Sequence, residues 1–198
     1  MRQVLTSTAK AKMRKGVQSL LGLVIIYGIF TVLSSSFRSF DTFKTILTQS
    51  VIMGTLAAGP TIVLISGGLD LSIGSLFCLV AVCTGRMLIA EIPVALVVVL
   101  ALGAGALCGA FNGSLIVGTG IPAFIGTLGM MKAYRGLAEI IGMNQDMSRF
   151  PESFQMIGKG YFIPISIMAV TFFLVYIFLS RTKIGFNRSE EHTSELQS

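Results

Sequence analysis

The chain has 198 residues, 53% of them hydrophobic and only 12% charged, with a net charge of +6 and a mean hydropathy of +0.82. Soluble domains carry roughly 25% charged residues, so this composition excludes an ordinary water-soluble domain and points to a multi-pass membrane protein. The positive balance is not a nucleic-acid footprint: Arg2, Lys10, Lys12, Arg14 and Lys15 precede the first apolar run, and no acidic residue occurs before Asp41. A basic cluster beside a transmembrane helix is a cytoplasmic retention signal, with some attraction to anionic lipid.

The predicted elements are helical, because the apolar runs are continuous, whereas strands of outer-membrane barrels alternate polar and apolar residues. Residues 1–16 form a basic cytoplasmic N-terminus. The first span covers about 17–33; its length and the want of a small-x-small cleavage site favour a retained helix over a signal peptide. Arg38, Asp41 and Lys44 mark a short loop. The second span is 45–66, with Pro60 tolerated where neighbours satisfy the freed carbonyl.

A polar break follows, Gly67-Gly68-Leu69-Asp70-Leu71-Ser72-Ile73-Gly74-Ser75, and the third span runs on to about Ile89. A carboxylate at a helix centre costs roughly 2.5–3.5 kcal/mol on insertion scales, so Asp70 needs compensation or water. The charge rule places it at the cytoplasmic end of span two. There its expected work is to cap the N-terminus of span three, where a carboxylate suits both the free N–H groups and the helix dipole. The second reading is a broken helix whose open backbone lines a conduit.

Residues 92–131 carry no charge. They are too many for one crossing and suit two, at roughly 20 residues each, with Gly118-Thr119-Gly120-Ile121-Pro122 as the turn. Span four is therefore about 92–117. Its Gly105, Gly109 and Gly113 lie on one face and suit close helix packing, expected within the chain rather than between subunits. Asn112 lies beside that stripe, either bonding across helices or lining a polar path. Span five, from Ala123 to Ile141, contains Lys132 and Arg135, which suggests a short or partly re-entrant helix whose cations snorkel. A polar loop, 142–160, precedes the aromatic-rich sixth span, 161–180, and Arg181 and Lys183 return the chain to the basic, cytoplasmic side. The fold class is thus an all-α polytopic membrane protein with about six transmembrane helices.

Enzyme chemistry finds no support. There is no G-x-x-x-x-G-K-[ST] phosphate loop, no H-E-x-x-H and no Cys/His cluster. Intramembrane aspartyl catalysis wants a second carboxylate beside Asp70. No metal or cofactor is implied, and Cys78, Cys83 and Cys108 are expected to be packing residues. The single histidine, His192, lies in residues 188–198, which read as the in-frame translation of a sequencing-library adapter; the native sequence is expected to be represented to about Asn187, giving a permease portion of 17–187.

The polar break resembles the signature of the membrane permease subunits of ribose- and galactose-type ABC importers. Further blocks resemble that family in order: Phe111-Asn112-Gly113-Ser114-Leu115-Ile116-Val117, Ile121-Pro122-Ala123-Phe124-Ile125-Gly126-Thr127-Leu128-Gly129-Met130, Arg135-Gly136-Leu137-Ala138, Phe150-Pro151-Glu152-Ser153-Phe154, Ile157-Gly158-Lys159-Gly160 with Ile163-Pro164, and Arg181-Thr182-Lys183-Ile184-Gly185. The resemblance covers about Phe37 to Phe186, and the family's further helices are expected after Asn187. It implies a transport subunit of a bacterial cytoplasmic membrane, not an enzyme. Its expected partners are a cytoplasmic ATP-binding subunit, a second permease copy and an extracytoplasmic sugar-binding protein. Gly67, Gly68, Asp70, Ser72, Asn112 and Thr127 are the expected lining of the path. Pro151, Phe154 and Lys159 would face the binding protein, and Arg181, Lys183 and Gly185 lead towards the ATPase. The alternatives are a related permease for branched-chain amino acids or another solute, and a secondary carrier. A carrier would need a coupling-ion carboxylate pair at midplane depth, for which only Asp70 is available.

Overall fold

The computed structural model describes residues 2–142, 150–158 and 160–181, with side chains from residue 17 onward. Seven helices of four residues or more are present among them: α1 (Arg2–Leu33), α2 (Phe40–Ile65), α3 (Ile73–Ile89), α4 (Val94–Thr119), α5 (Ala123–Gly142), α6 (Glu152–Gly158) and α7 (Phe162–Arg181). The described residues contain no strand, which agrees with an all-α membrane protein. Of these helices, α2, α4 and α7 are long and apolar enough to cross a bilayer, while 17–33 of α1 and the whole of α3 are shorter apolar stretches. The difference from six predicted spans comes from the 17-residue lengths of 17–33 and of α3 and from the charges of α5.

The chain divides into two compact units, residues 1–50 and 51–198. In the first, Phe37 folds back on the end of α1, its ring 5.2 Å from Tyr27 and 5.5 Å from Phe30. The start of α2 lies five residues before the predicted Thr45. Ser39 supplies the reason: its Oγ accepts the N–H of Thr42 at 3.1 Å, an N-terminal cap. Asp41 in the first turn suits the helix dipole.

In the second unit α2 ends in a Schellman turn. Gly68 N–H donates to Val63 O and Gly67 N–H to Leu64 O, with Gly67 at φ +80°. The predicted turn before α5 is also present, and Gly120 at φ 68° ends α4 by donating to Ile116 O. Contacts then advance together along α3 and α5, from Leu69 with Thr127, through Leu79 with Tyr134 and Ala138, to Val82 with Gly142. The two helices are therefore parallel. Along α4 the order is reversed: Ile116 meets Gly126 while Cys108 meets Tyr134. Three consecutive helices joined by short turns give this arrangement.

The core is small. Leu79, Tyr134 and Ala138 form its centre, with Cys78, Cys83 and Cys108 packed around it as free thiols. Outward surfaces are apolar instead: Leu102 and Leu107 on α4 and Phe162 on α7 are 71%, 73% and 89% exposed. Apolar surface on this scale belongs against lipid or other apolar helices. The chain is a multi-pass membrane protein.

Candidate functional site

The polar break between α2 and α3 is the centre of a hydrogen-bonded chain that ties three helices together. Ser72 is the residue before the first turn of α3 and is fully buried. Its N–H and its Oγ–H both donate to Asp70 Oδ1, at 2.8 and 2.7 Å. Asn112 Nδ2, on α4, donates to Ser72 Oγ at 2.8 Å. Tyr134 Oη, on α5, donates to Asn112 Oδ1 at 2.7 Å, and Cys108 O lies 3.2 Å from the same hydroxyl. Every donor in the series points towards Asp70, so the carboxylate's charge is spread over successive polarised bonds.

Asp70 therefore does different work from the predicted cap. A capping side chain accepts the N–H of the second or third helical residue. Here Asp70 stands two residues before the Ser72 cap position and accepts that residue's own groups, and Ser72 makes no side-chain capping bond. The reason lies in Leu71 and Ser72: both precede the first residue of α3, and the carboxylate reaches two residues forward in an Asx-type turn.

Thr127 joins the same region from the first turns of α5. Its hydroxyl lies 2.8 Å from Ala123 O, the shortest of its contacts, and 3.3 Å from Leu69 O in the break. Gly126, its neighbour, is needed for close approach: a Cβ there would lie 3.0 Å from Ile116 Cγ1 and 3.2 Å from Ile121 Cδ1.

The predicted path residues thus split in two. Ser72, Asn112 and Thr127 are enclosed, with their polar atoms bonded inside the unit; Gly67 is open and Gly68 and Asp70 are half-buried. In this arrangement the enclosed three do not face an open path. The sequence reading missed Tyr134, although a tyrosine on the same helical face as Thr127 and Ala138 was a visible partner for Asn112.

Span five is one uninterrupted helix of 20 residues. Lys132 and Arg135 are exposed on it, and Arg135 Nε pairs with Glu139 Oε1 at 3.3 Å, both side chains about two-thirds exposed. The glycine stripe of α4 is open: among the described residues nothing lies within 4 Å of a Cβ built on Gly105, Gly109 or Gly113. The expected packing within the chain is not made by any described element. Pro151 immediately precedes α6, its carbonyl accepting from Phe154 and Gln155, and Phe154 meets Phe150 edge-on at 5.6 Å. Arg181 ends α7. Lys159, Lys183 and Gly185 lie outside the described residues, as do residues 188–198. Among the described residues no group of three His, Cys, Asp or Glu is placed to hold a metal ion.

Residues 42–188 match the protein family described as the branched-chain amino acid transport system permease component. The chain is 31% identical over 176 residues to the ribose import permease protein RbsC of Haemophilus influenzae, covering 85% of this chain and 54% of that protein. It is 32% identical over 173 residues to the autoinducer 2 import system permease protein LsrC of an Enterobacter species, covering 85% of this chain and 50% of that protein. It is also 33% identical over 171 residues to RbsC of Bacillus subtilis, covering 83% and 53%. The chain spans about half the length of these relatives. No solved structure matches it.

Proposed function

This chain belongs to the family of branched-chain amino acid transport system permease components, and from that premise we propose that it is the N-terminal part of the membrane permease of an ATP-driven sugar importer. The observation that carries this reading is the likeness to ribose and autoinducer 2 import permeases over more than four-fifths of the chain. The chain carries no phosphate-binding loop of its own, so ATP would act on a separate cytoplasmic subunit. Nucleotide binding there would shift a pair of permease copies between inward-open and outward-open arrangements. Solute would arrive from an extracytoplasmic binding protein, docking near Pro151 and Phe154. The N-terminus and Arg181 would lie on the cytoplasmic side of a bacterial inner membrane.

Within this mechanism the enclosed chain from Asp70 to Tyr134 fixes the break between α2 and α3 against α4 and α5. Such a polar cluster makes the three helices move as one body when access alternates. No bond of the solute is made or broken, and weak contacts along the path favour release.

The test is uptake of labelled ribose into vesicles holding the full-length permease, with and without its ATP-binding subunit and binding protein. Uptake that requires both partners and ATP is expected. Uptake without the ATPase subunit would make the protein a secondary carrier instead. The family's description also favours a second reading, a branched-chain amino acid as solute; leucine uptake with ribose excluded would select it.

A further inference from the structure

An open cavity of about 360 Å³ lies beside α3 and α5, lined by Ser75, Met131, Lys132, Arg135 and Glu139. Its size falls in the range of roughly 300–1,000 Å³ usual for small-molecule sites. Lys132 is nine residues past Ala123, so it sits about 14 Å along a helix about 30 Å long, near its middle. Ionisable groups on the helices of a membrane protein face protein or water rather than lipid and mark solute pathways.

The groups are arranged for use rather than spent. Lys132 makes no ion pair or hydrogen bond among the described residues, and neither does the Ser75 hydroxyl. Only Nε of Arg135 is engaged by Glu139, which leaves the guanidinium's outer N–H groups and the second carboxylate oxygen open. The enclosed Asn112 and Thr127, in contrast, have their polar atoms bonded within the unit.

Resting on the importer reading above, we propose that this cavity is a hydrated station on the solute path that takes a small polyhydroxylated solute. Neighbouring hydroxyls each need one donor and one acceptor, and Arg135 beside Glu139 presents both. Lys132 and Ser75 supply further donors, and Met131 offers an apolar wall to the C–H face of a sugar. The charged contacts come from the exposed side chains of Lys132, Arg135 and Glu139, which suits passage rather than tight retention.

The experiment uses the full-length permease with its transport partners, carrying Cys78→Ala, Cys83→Ala and Cys108→Ala. Single cysteines are then introduced as Lys132→Cys and Glu139→Cys in the cavity, and Val99→Cys and Leu107→Cys on the apolar face of α4. Modification by a charged, water-soluble thiol reagent is expected to be at least tenfold faster at the first pair, and several-fold slower there in millimolar ribose, fructose or galactose but not leucine. Equal rates at the two pairs would show the cavity covered by lipid, another helix or a second copy, and would overturn the proposal. Fast labelling that no sugar slows, or that leucine slows, would overturn the solute class. If one cavity variant fails to assemble, the other decides the comparison. The labelling contrast is independent of the uptake assay, so a parent protein that imports without ATP would refute the importer reading while leaving this result to be judged separately.

Discussion

Asn112 Nδ2 donates to Ser72 Oγ across 2.8 Å, joining the last third of α4 to the residue that opens α3, forty positions earlier in the chain. The same amide accepts from Tyr134 through its oxygen at 2.7 Å. One side chain thereby satisfies two buried hydroxyls on two other helices. Losing it leaves the buried Ser72 Oγ without its donor and Tyr134 Oη with only the longer contact to Cys108 O.

Asn112→Ala is therefore expected to destabilise the permease by about 1–3 kcal/mol, the usual cost of a stranded buried polar group. Tyr134→Phe removes a donor and strands only the amide oxygen, so its effect should be smaller. In thermal unfolding of the detergent-solubilised protein, the double variant should lose less than the two single losses added together. Strict additivity would mean that the two side chains are not coupled.

Asp70 separates the accepting role from the charge. Asp70→Asn keeps an oxygen that can receive both the N–H and the hydroxyl of Ser72, and most of the protein should still assemble. Asp70→Leu removes the acceptor while Ser72 stays buried, with an expected loss of about 1–3 kcal/mol and a clear drop in membrane yield. Indistinguishable yields of the two variants would count against the role assigned to Oδ1.

At Gly126 the issue is space. The Cβ of Gly126→Ala would stand 3.0 Å from Ile116 Cγ1, and such overpacking typically costs about 1–3 kcal/mol. Gly126→Val should cost more. Pairing Gly126→Ala with Ile116→Ala should recover part of the lost melting temperature; no recovery would place the damage elsewhere.

Two turns of the same geometry provide a backbone test. Gly67 ends α2 at φ +80°, and Glu91 follows α3 at φ 58° with Ile92 N–H donating to Met87 O. The left-handed region costs a side-chain-bearing residue about 1–2 kcal/mol. Gly67→Ala should lower the melting temperature, while Glu91→Gly should leave it unchanged or raise it, since relief of strain offsets the roughly 0.5–1 kcal/mol of added chain entropy. A raised melting temperature for Gly67→Ala, or a clear loss for Glu91→Gly, would exclude this backbone geometry.

Helix boundaries were legible where a local signal sets them. The break after Ser66, the turn at Gly120 and the end of α5 near Ile141 follow from glycine, proline and the loss of apolar character within a few residues. The start of α2 lies before the apolar run at Thr45 because the Ser39 cap stabilises a helix regardless of the bilayer. The short helix α6 was hidden in a polar loop for the same reason: Pro151 offers an N-terminal carbonyl, but seven residues are too few for a periodic pattern to stand out.

By itself the sequence determined that this chain is an all-helical, multi-pass membrane protein of the permease family, because uncharged runs of bilayer length and an ordered set of motifs are properties of the linear chain. It also singled out Asp70, Ser72, Asn112 and Thr127 as the unusual polar residues. Only the tertiary structure decided what they do. Parallel packing of α3 and α5 with α4 reversed against them brings Ser72, Asn112 and Tyr134 into one bonded series and leaves Lys132, Arg135 and Glu139 open. Which polar groups face one another, and which face a cavity, depends on the rotation and register of helices that lie far apart in sequence, and no local pattern encodes that.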